Sequence, residues 1–208
     1  MIAWQDAQHL VAVAGRVTNA ETGKTICGAE IVITGSPETF KQRLQGVSLQ
    51  DGKSWITMTE RPDRTRTRDD GLFYFLDLPS GDYAFTASLP SSGRRFGTAE
   101  GKVKVTRTDK GDTKLAFVDV SLQPTMVKGQ VTGSGHKSGV VLAEVRVKGS
   151  GERAFTNAQG QYSVCGIQPG KRVLQVSAQG YRAESHPFTV SSPGASETVN
   201  VNLILESG

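Results

Sequence analysis

The chain has only two cysteines, and that scarcity excludes a good deal. Cys27 and Cys165 fall in different halves at non-matching places, so no disulfide framework is expected, and there is no Cys-x-x-Cys pair for zinc. Both are expected to be free thiols. Histidine is equally scarce: His9, His136 and His186 stand in separate segments, none with a zinc-type partner at the required spacing. Neither Gly-x-Ser-x-Gly nor a P-loop occurs. No catalytic residue, cofactor or metal site is therefore expected, and the protein reads as a non-enzyme. No run of eighteen apolar residues occurs, so no membrane span is expected. The opening "MIAWQDAQHLVAVAG" has no basic n-region, and Asp6 and His9 interrupt its apolar residues. It does not read as a secretory signal, short of one having been trimmed; the expectation is a protein made in the cytoplasm and incorporated into a virion or tail-like particle. Charge of one sign is also lacking. Residues 1–124 carry 16 Lys+Arg against 15 Asp+Glu, and residues 125–208 carry 8 against 5. Neither half has the bulk charge of a nucleic-acid binder.

What the sequence does have is an internal repeat. "GRVT" (15–18) matches "GQVT" (129–132), and "AEIVITG" (29–35) matches "AEVRVKG" (143–149), both at an offset of 114. "DGLFYFLDLPSG" (70–81) matches "QGQYSVCGIQPG" (159–170) at 89, and "VDVSL" (118–122) matches "VNVNL" (199–203) at 81. Four blocks in preserved order give two copies of one unit. The reading is an N-terminal arm at 1–12, a first domain at 13–124 and a second at 125–208, joined stiffly through "QPT". The first copy carries an insertion at about 36–66 and a basic extended hairpin at about 91–116.

The blocks alternate. Val127, Gly129 and Val131 share a face, as do Val145 and Val147, Tyr162 and Val164, and Val201 and Leu203. Period-two patterning with one polar face means half-buried antiparallel strands. In "RVLQVSA" Val173 falls opposite Leu174 and Val176, which suggests a bulge or twist. Residues 38–50 come closest to a helix through Phe40, Leu44 and Val47, but Gly46 weakens it, so no helix is expected. Turns calling for positive φ are placed at Gly71 and Gly160, with second turns at Gly81 and Gly170.

These residues carry a resemblance. "GQV" (129–131), "TNAQGQY" (156–162), "IQPG" (167–170) and "QGYRAES" (179–185), with "GRV" (15–17), "TRDDGLF" (67–73) and "LPSGDY" (78–83), resemble the carboxypeptidase regulatory-like domains. Copy one lacks the Gly-Tyr pair. The resemblance implies an all-β chain of two tandem seven-stranded transthyretin-like, Ig-like β-sandwiches, and a non-catalytic role. An internal Lys–Asn isopeptide bond, of the kind pilin-like sandwiches form, is disfavoured because Lys128, Asn200 and Asn202 all alternate onto the outer face.

The remaining features define candidate contacts. "ERPDRTRTRDD" (60–70) holds Arg61, Arg64, Arg66 and Arg68 against four carboxylates; it reads as an anion-binding loop or, preferably, as a self-neutralised arm. Arg94 and Arg95 lie in the basic hairpin. Trp4 and Trp55 are either sugar platforms or, preferably, anchors onto a core or partner. The functional expectation is a rigid two-domain module in a multi-protein assembly, with other proteins and copies of itself as partners. The sharper form is a cap, baseplate or fibre component of a phage tail or contractile injection system. A cell-surface carbohydrate-binding module and a regulatory subunit of a separate enzyme are the alternatives.

Overall fold

The computed structural model describes residues 9–58, 61–107, 113–134 and 136–206. Trp4 lies outside them. The chain divides into two compact units, Met1–Ser91 with Thr98–Leu122, and Ser92–Gly97 with Gln123–Gly208.

The first unit runs β1 (Val11–Asn19), β2 (Glu30–Gly35), α1 (Glu38–Asp51), α2 (Ser54–Thr57), β3 (Arg64–Arg66), β4 (Leu72–Leu76), β5 (Gly81–Ser88), β6 (Ala99–Arg107), β7 (Thr113–Lys114), β8 (Ala116–Phe117) and β9 (Val120–Leu122). One sheet pairs β1 antiparallel with β4 and parallel with β8 and β9; the other has the order β3-β2-β5-β6-β7. Between them lie Val13, Val17, Ile31, Phe73, Phe75, Phe85 and Leu122, all 3% exposed or less. Burying each such side chain contributes about 1.5–3 kcal/mol. Strand β1 begins at Val11, inside the segment expected to be an arm.

The second unit runs β10 (Met126–Gly133), β11 (His136–Gly139), β12 (Glu144–Val147), β13 (Arg153–Phe155), β14 (Gln161–Cys165), β15 (Gly170–Ser177), β16 (Glu184–Val190), β17 (Ser196–Thr198) and β18 (Val201–Leu203). Strand β10 pairs with β14 and β11 antiparallel and with β17 and β18 parallel, facing a β13-β12-β15-β16 sheet. If each interrupted last strand is counted once, seven strands correspond between the units. Both are β-sandwiches. Strand β15 pairs with β16 in unbroken register, so the suspected bulge near Val173 is not there; Val173 simply faces outward while Leu174 and Val176 fill the core.

The repeat extends to individual hydrogen bonds. Thr67 Oγ1 accepts from Ala29 N–H (2.9 Å) and donates to Ile26 O (2.7 Å); Thr156 Oγ1 accepts from Ala143 N–H (2.8 Å) and donates to Val140 O (2.6 Å). The last strands break at matching places. Arg16 N–H donates to Asp119 Oδ1 and Gln130 N–H to Asn200 Oδ1, each carboxylate or amide capping a backbone donor that the interrupted ladder leaves free. A Cβ on Gly15 would overlap the Val118 carbonyl, and one on Gly129 the Val199 carbonyl. The Gly-x-Val signature is thus the place where β1 and β10 let a neighbouring carbonyl in.

One equivalent pair differs informatively. Gly28 (φ 71) and Leu142 (φ 57) occupy the same turn, and Leu142 is 73% exposed. A leucine in the left-handed region is strained and here gains no packing in return. Leu142→Gly is expected to raise the stability of the second unit by about 0.5–1 kcal/mol, read from urea unfolding.

Two expectations for the first copy need correction. Residues 38–51 form a helix after all. Phe40 is buried and meets Tyr83 edge-on at 5.7 Å, while Gly46 faces solvent, where its cost of about 1 kcal/mol is tolerated. Nor do residues 91–116 form one long hairpin. Strand β6 pairs with β5 and with the short β7, whereas residues 92–97 belong to the second unit. There, buried Thr125 holds them. Its N–H donates to Arg95 O, its hydroxyl donates to Arg94 O and accepts from Gly194 N–H, and its carbonyl accepts from Gly166 and Ile167.

Candidate functional site

Of the four arginines of residues 60–70, Arg61 and Arg64, but not Arg66 or Arg68, line a cleft of about 330 Å³ in the first unit, with His9, Arg43, Tyr74 and Asp77 among others. Trp55, on α2, is brought to the same place. The Arg61 guanidinium lies 4.7 Å from the centre of its ring. Arg61 also pairs with Asp63, with Nε 3.0 Å from Oδ1 and Nη2 donating to Oδ2 at 3.0 Å. Arg66 and Arg64 lie 3.6 and 4.0 Å from Glu30. Arg68 covers Tyr74 at 4.9 Å and donates to its hydroxyl. Arg43 donates to the Asp77 carbonyl at 2.7 Å. The guanidiniums are already engaged by carboxylates, carbonyls and rings. The cleft therefore stitches the segment to the sheet rather than presenting free positive charge. Arg64 Nε is buried without a hydrogen-bond partner among the described residues.

Asp77 closes the cleft with φ 52, a conformation that Asp tolerates better than most residues. Its carboxylate accepts from Leu10 N–H at 2.9 Å and pairs with His9 Nδ1 at 2.5 Å. The His9 hydrogen bond leads in holding its carboxyl below the ordinary 3.8. A carboxyl depressed in the folded state stabilises above its unfolded value and loses that contribution as pH falls through its folded one. Asp77→Asn is accordingly expected to flatten the acid limb of the first unit's stability below about pH 4, with little change at pH 7 beyond the lost pair. Acid titration followed by tryptophan fluorescence reads it.

The other sequence candidates are dispersed. Arg95 pairs with Glu152 and donates to Gly166 O, all within the second unit, so it acts as a clamp and not as a free contact. Burial alone would raise the Glu152 carboxyl, but its bonds with Ser150 and Arg95 bring it below the usual range. Arg94 is exposed. Gly71, Gly81, Gly160 and Gly170 have φ of 75, 147, 73 and 114. Cys27 is exposed and donates to Asp69 Oδ1 at 3.2 Å, which raises its thiol above the ordinary value. Burial pushes the Tyr83 hydroxyl up to about 12 and raises that of Tyr162, whose O–H donates to the Val199 carbonyl. Lys128, Asn200 and Asn202 are exposed, and Asn200 is spent on Gln130. Among the described residues no cluster of three or more His, Cys, Asp or Glu could hold a metal, and no helix is long and apolar enough to cross a membrane.

Two surfaces escaped the sequence reading. The outer face of the β4-β1-β8 sheet is apolar: Val11 sits beside Leu76, Ala14 lies between Tyr74 and Phe117, and Leu72 follows. Val11, Leu72 and Leu76 are about 40% exposed and Phe117 72%. The outer face of the β13-β12-β15-β16 sheet is basic, with Arg146, Lys148, Arg153 and Lys171 all exposed.

Strand order, burial and side-chain placement define a protein of two β-sandwich domains. Residues 126–204 match the model of the carboxypeptidase regulatory-like domain. The first unit repeats its strand order and hydrogen bonds outside the matched segment. No curated protein matches the chain. Among solved structures it is similar to the shaft pilin SpaA of Lactobacillus rhamnosus GG, at 11% identity over 96% of this chain and 98% of that one, with a TM-score of 0.43. A streptococcal ancillary pilin is similar at 14% identity over 96% of this chain and 63% of that one (TM-score 0.40). The Bacillus anthracis TIE protein is similar at 13% identity over 95% of this chain and 34% of that one (TM-score 0.40). The chain thus spans about a third of the TIE protein and under two thirds of the ancillary pilin. These likenesses concern the fold alone.

Proposed function

We propose that the chain is a non-catalytic structural and binding module of a multi-protein assembly. The observation that carries this reading is the apolar outer face of the β4-β1-β8 sheet, where Arg68 covers Tyr74 but Val11, Leu72, Leu76 and Phe117 stay exposed. Soluble monomers seldom leave a contiguous apolar patch to water, and such patches mark interaction sites. Phe117 on the edge strand β8, with Leu72, Leu76 and Val11 on β4 and β1, supplies the apolar surface that a protein interface needs, and Arg16 and Arg68 supply polar groups beside it. Separately, the α1–α2 excursion exposes Leu49 and Ile56, at 77% and 78%. The occupant that fits is another protein, copies of this chain included.

The test is recovery of partners by tagged wild-type protein and by a Phe117→Asp variant whose circular dichroism and melting are unchanged. We expect the wild type to bring down stoichiometric partners and the variant to lose them. Equal recovery by both would remove this face from the interface. Membership of a phage tail or contractile injection system is the narrower form of the reading, with incorporation into a particle as its location. None of the comparisons supports it, and it rests on which partners are recovered. A catalytic subunit among them would favour the regulatory-subunit reading instead. The carbohydrate reading based on Trp55 is weakened, because Arg61 covers one face of that ring and no aromatic pair among the described residues includes it.

A further inference from the structure

We propose that the outer face of the β13-β12-β15-β16 sheet in the second unit binds a linear acidic polysaccharide. Strand register places its side chains in rows. Arg153, Arg146, Gln175 and Ser185 form one row, Lys148, Val173 and Pro187 the next, and Lys171 with Thr189 a third. Rows on one face of a sheet are about 7 Å apart and neighbouring strands about 4.8 Å. Four cations therefore lie spread over one flat surface. The single carboxylate that alternates onto it is Glu144, paired with Arg153 at 3.4 Å. Among the described residues no carboxylate lies within ion-pair distance of Arg146, Lys148 or Lys171. Glu152, in the turn above Lys148, is engaged by Arg95 and Ser150. The two flanking groups that could cancel the field are both occupied.

Charge complementarity calls for an anion, and the form of the surface calls for a polymer. A shallow groove of about 490 Å³, lined by Lys148, Lys171, Val173, Pro187 and Thr189 among others, spans the second and third rows and is open to solvent. A protein interface of this size needs an apolar core, and here Val173 and Pro187 are separated from the exposed Phe155 by the row of Arg146 and Arg153 rather than gathered into one. Single-stranded nucleic acid needs a series of aromatic platforms, and this face carries a single one, Phe155 on β13. A glycan carrying carboxylates meets the cations with its charges, Ser185 and Thr189 with its hydroxyls, and Val173 and Pro187 with its ring faces, while Gln175 Oε1 accepts from Arg146 Nε at 3.1 Å and orients that guanidinium.

The inference does not depend on the assembly reading. Its test uses the full chain and polygalacturonate, with neutral dextran and a single-stranded oligonucleotide of equal charge as comparators, all at low salt. We expect binding to polygalacturonate that weakens as salt rises. A triple variant (Arg146→Gln, Lys148→Gln, Lys171→Gln) should bind about tenfold more weakly, since each exposed charge contributes modestly. These side chains are exposed, so its melting temperature should match the wild type; Lys148→Glu alone gives the same sign if the triple variant folds poorly. No binding to polygalacturonate, equal binding by the variants, or tighter binding to the oligonucleotide would overturn the proposal.

Discussion

Gly129→Ala is expected to lower the stability of the second unit by more than about 3 kcal/mol, and Gly15→Ala to do the same in the first. The reason is not backbone freedom but space. The interrupted last strand of each sandwich turns a carbonyl, that of Val199 or Val118, into the position a Cβ would occupy. That carbonyl cannot withdraw cheaply. Val199 O accepts the Tyr162 hydroxyl at 2.6 Å, and Val199 N–H is held by Lys128 O at 2.9 Å. Adding one methyl group therefore means breaking the β10–β17–β18 ladder or displacing a buried tyrosine. Urea unfolding followed by far-ultraviolet circular dichroism reads the effect. A loss under about 1 kcal/mol would show that the strand relaxes and that the glycine is not needed for the approach.

Thr156→Val should cost about 3 kcal/mol, and Thr67→Val a similar amount in the first unit. Valine keeps the volume, so the loss isolates the hydroxyl. Without it, Ala143 N–H and the Val140 carbonyl lose their partner in a site where Thr156 is 2% exposed and Ala143 fully buried. Each unsatisfied buried group costs about 1–3 kcal/mol. Thr156→Ser retains both bonds and should recover most of the stability. If valine and serine behave alike, the hydroxyl is not what joins the β11–β12 turn to the β13–β14 turn.

These two positions also mark what was legible in the sequence. Both stand at fixed places in the repeat, Gly129 in Gly-x-Val and Thr156 at the head of Thr-x-x-x-Gly-x-Tyr. The repeat was readable because every strand buries one face and so alternates. Their partners were not readable: Val199 lies 70 residues from Gly129, and only the fold brings them together. Helix α1 was missed for a local reason. Only Phe40 is buried, packed on Tyr83, and Arg43 reaches the Asp77 carbonyl, so the helix is held by a few tertiary contacts and its own periodicity is faint. Arg95 was taken for a surface contact because its carboxylate partner, Glu152, is 57 residues away. The basic face of the second unit was diluted in a modest net charge. Its signal was present in "AEVRVKG", where Arg146 and Lys148 alternate with Val145 and Val147, and gains its meaning once register sets Lys171 and Arg153 beside them.

The apolar face of the first unit was hidden for the opposite reason. Leu72, Leu76 and Phe117 alternate with core residues in strands that read as hydrophobic throughout, and continuous apolar runs do not say which side is left in water. That face is what the proposed role in assembly rests on.

The most direct measurement of that role is native mass spectrometry of the tagged protein captured from its own cells under gentle conditions. We expect a complex of defined stoichiometry, with other proteins or with further copies of this chain, that falls apart when Phe117 is replaced by aspartate. A wild-type protein recovered alone as a 22.2 kDa monomer would contradict the assembly account.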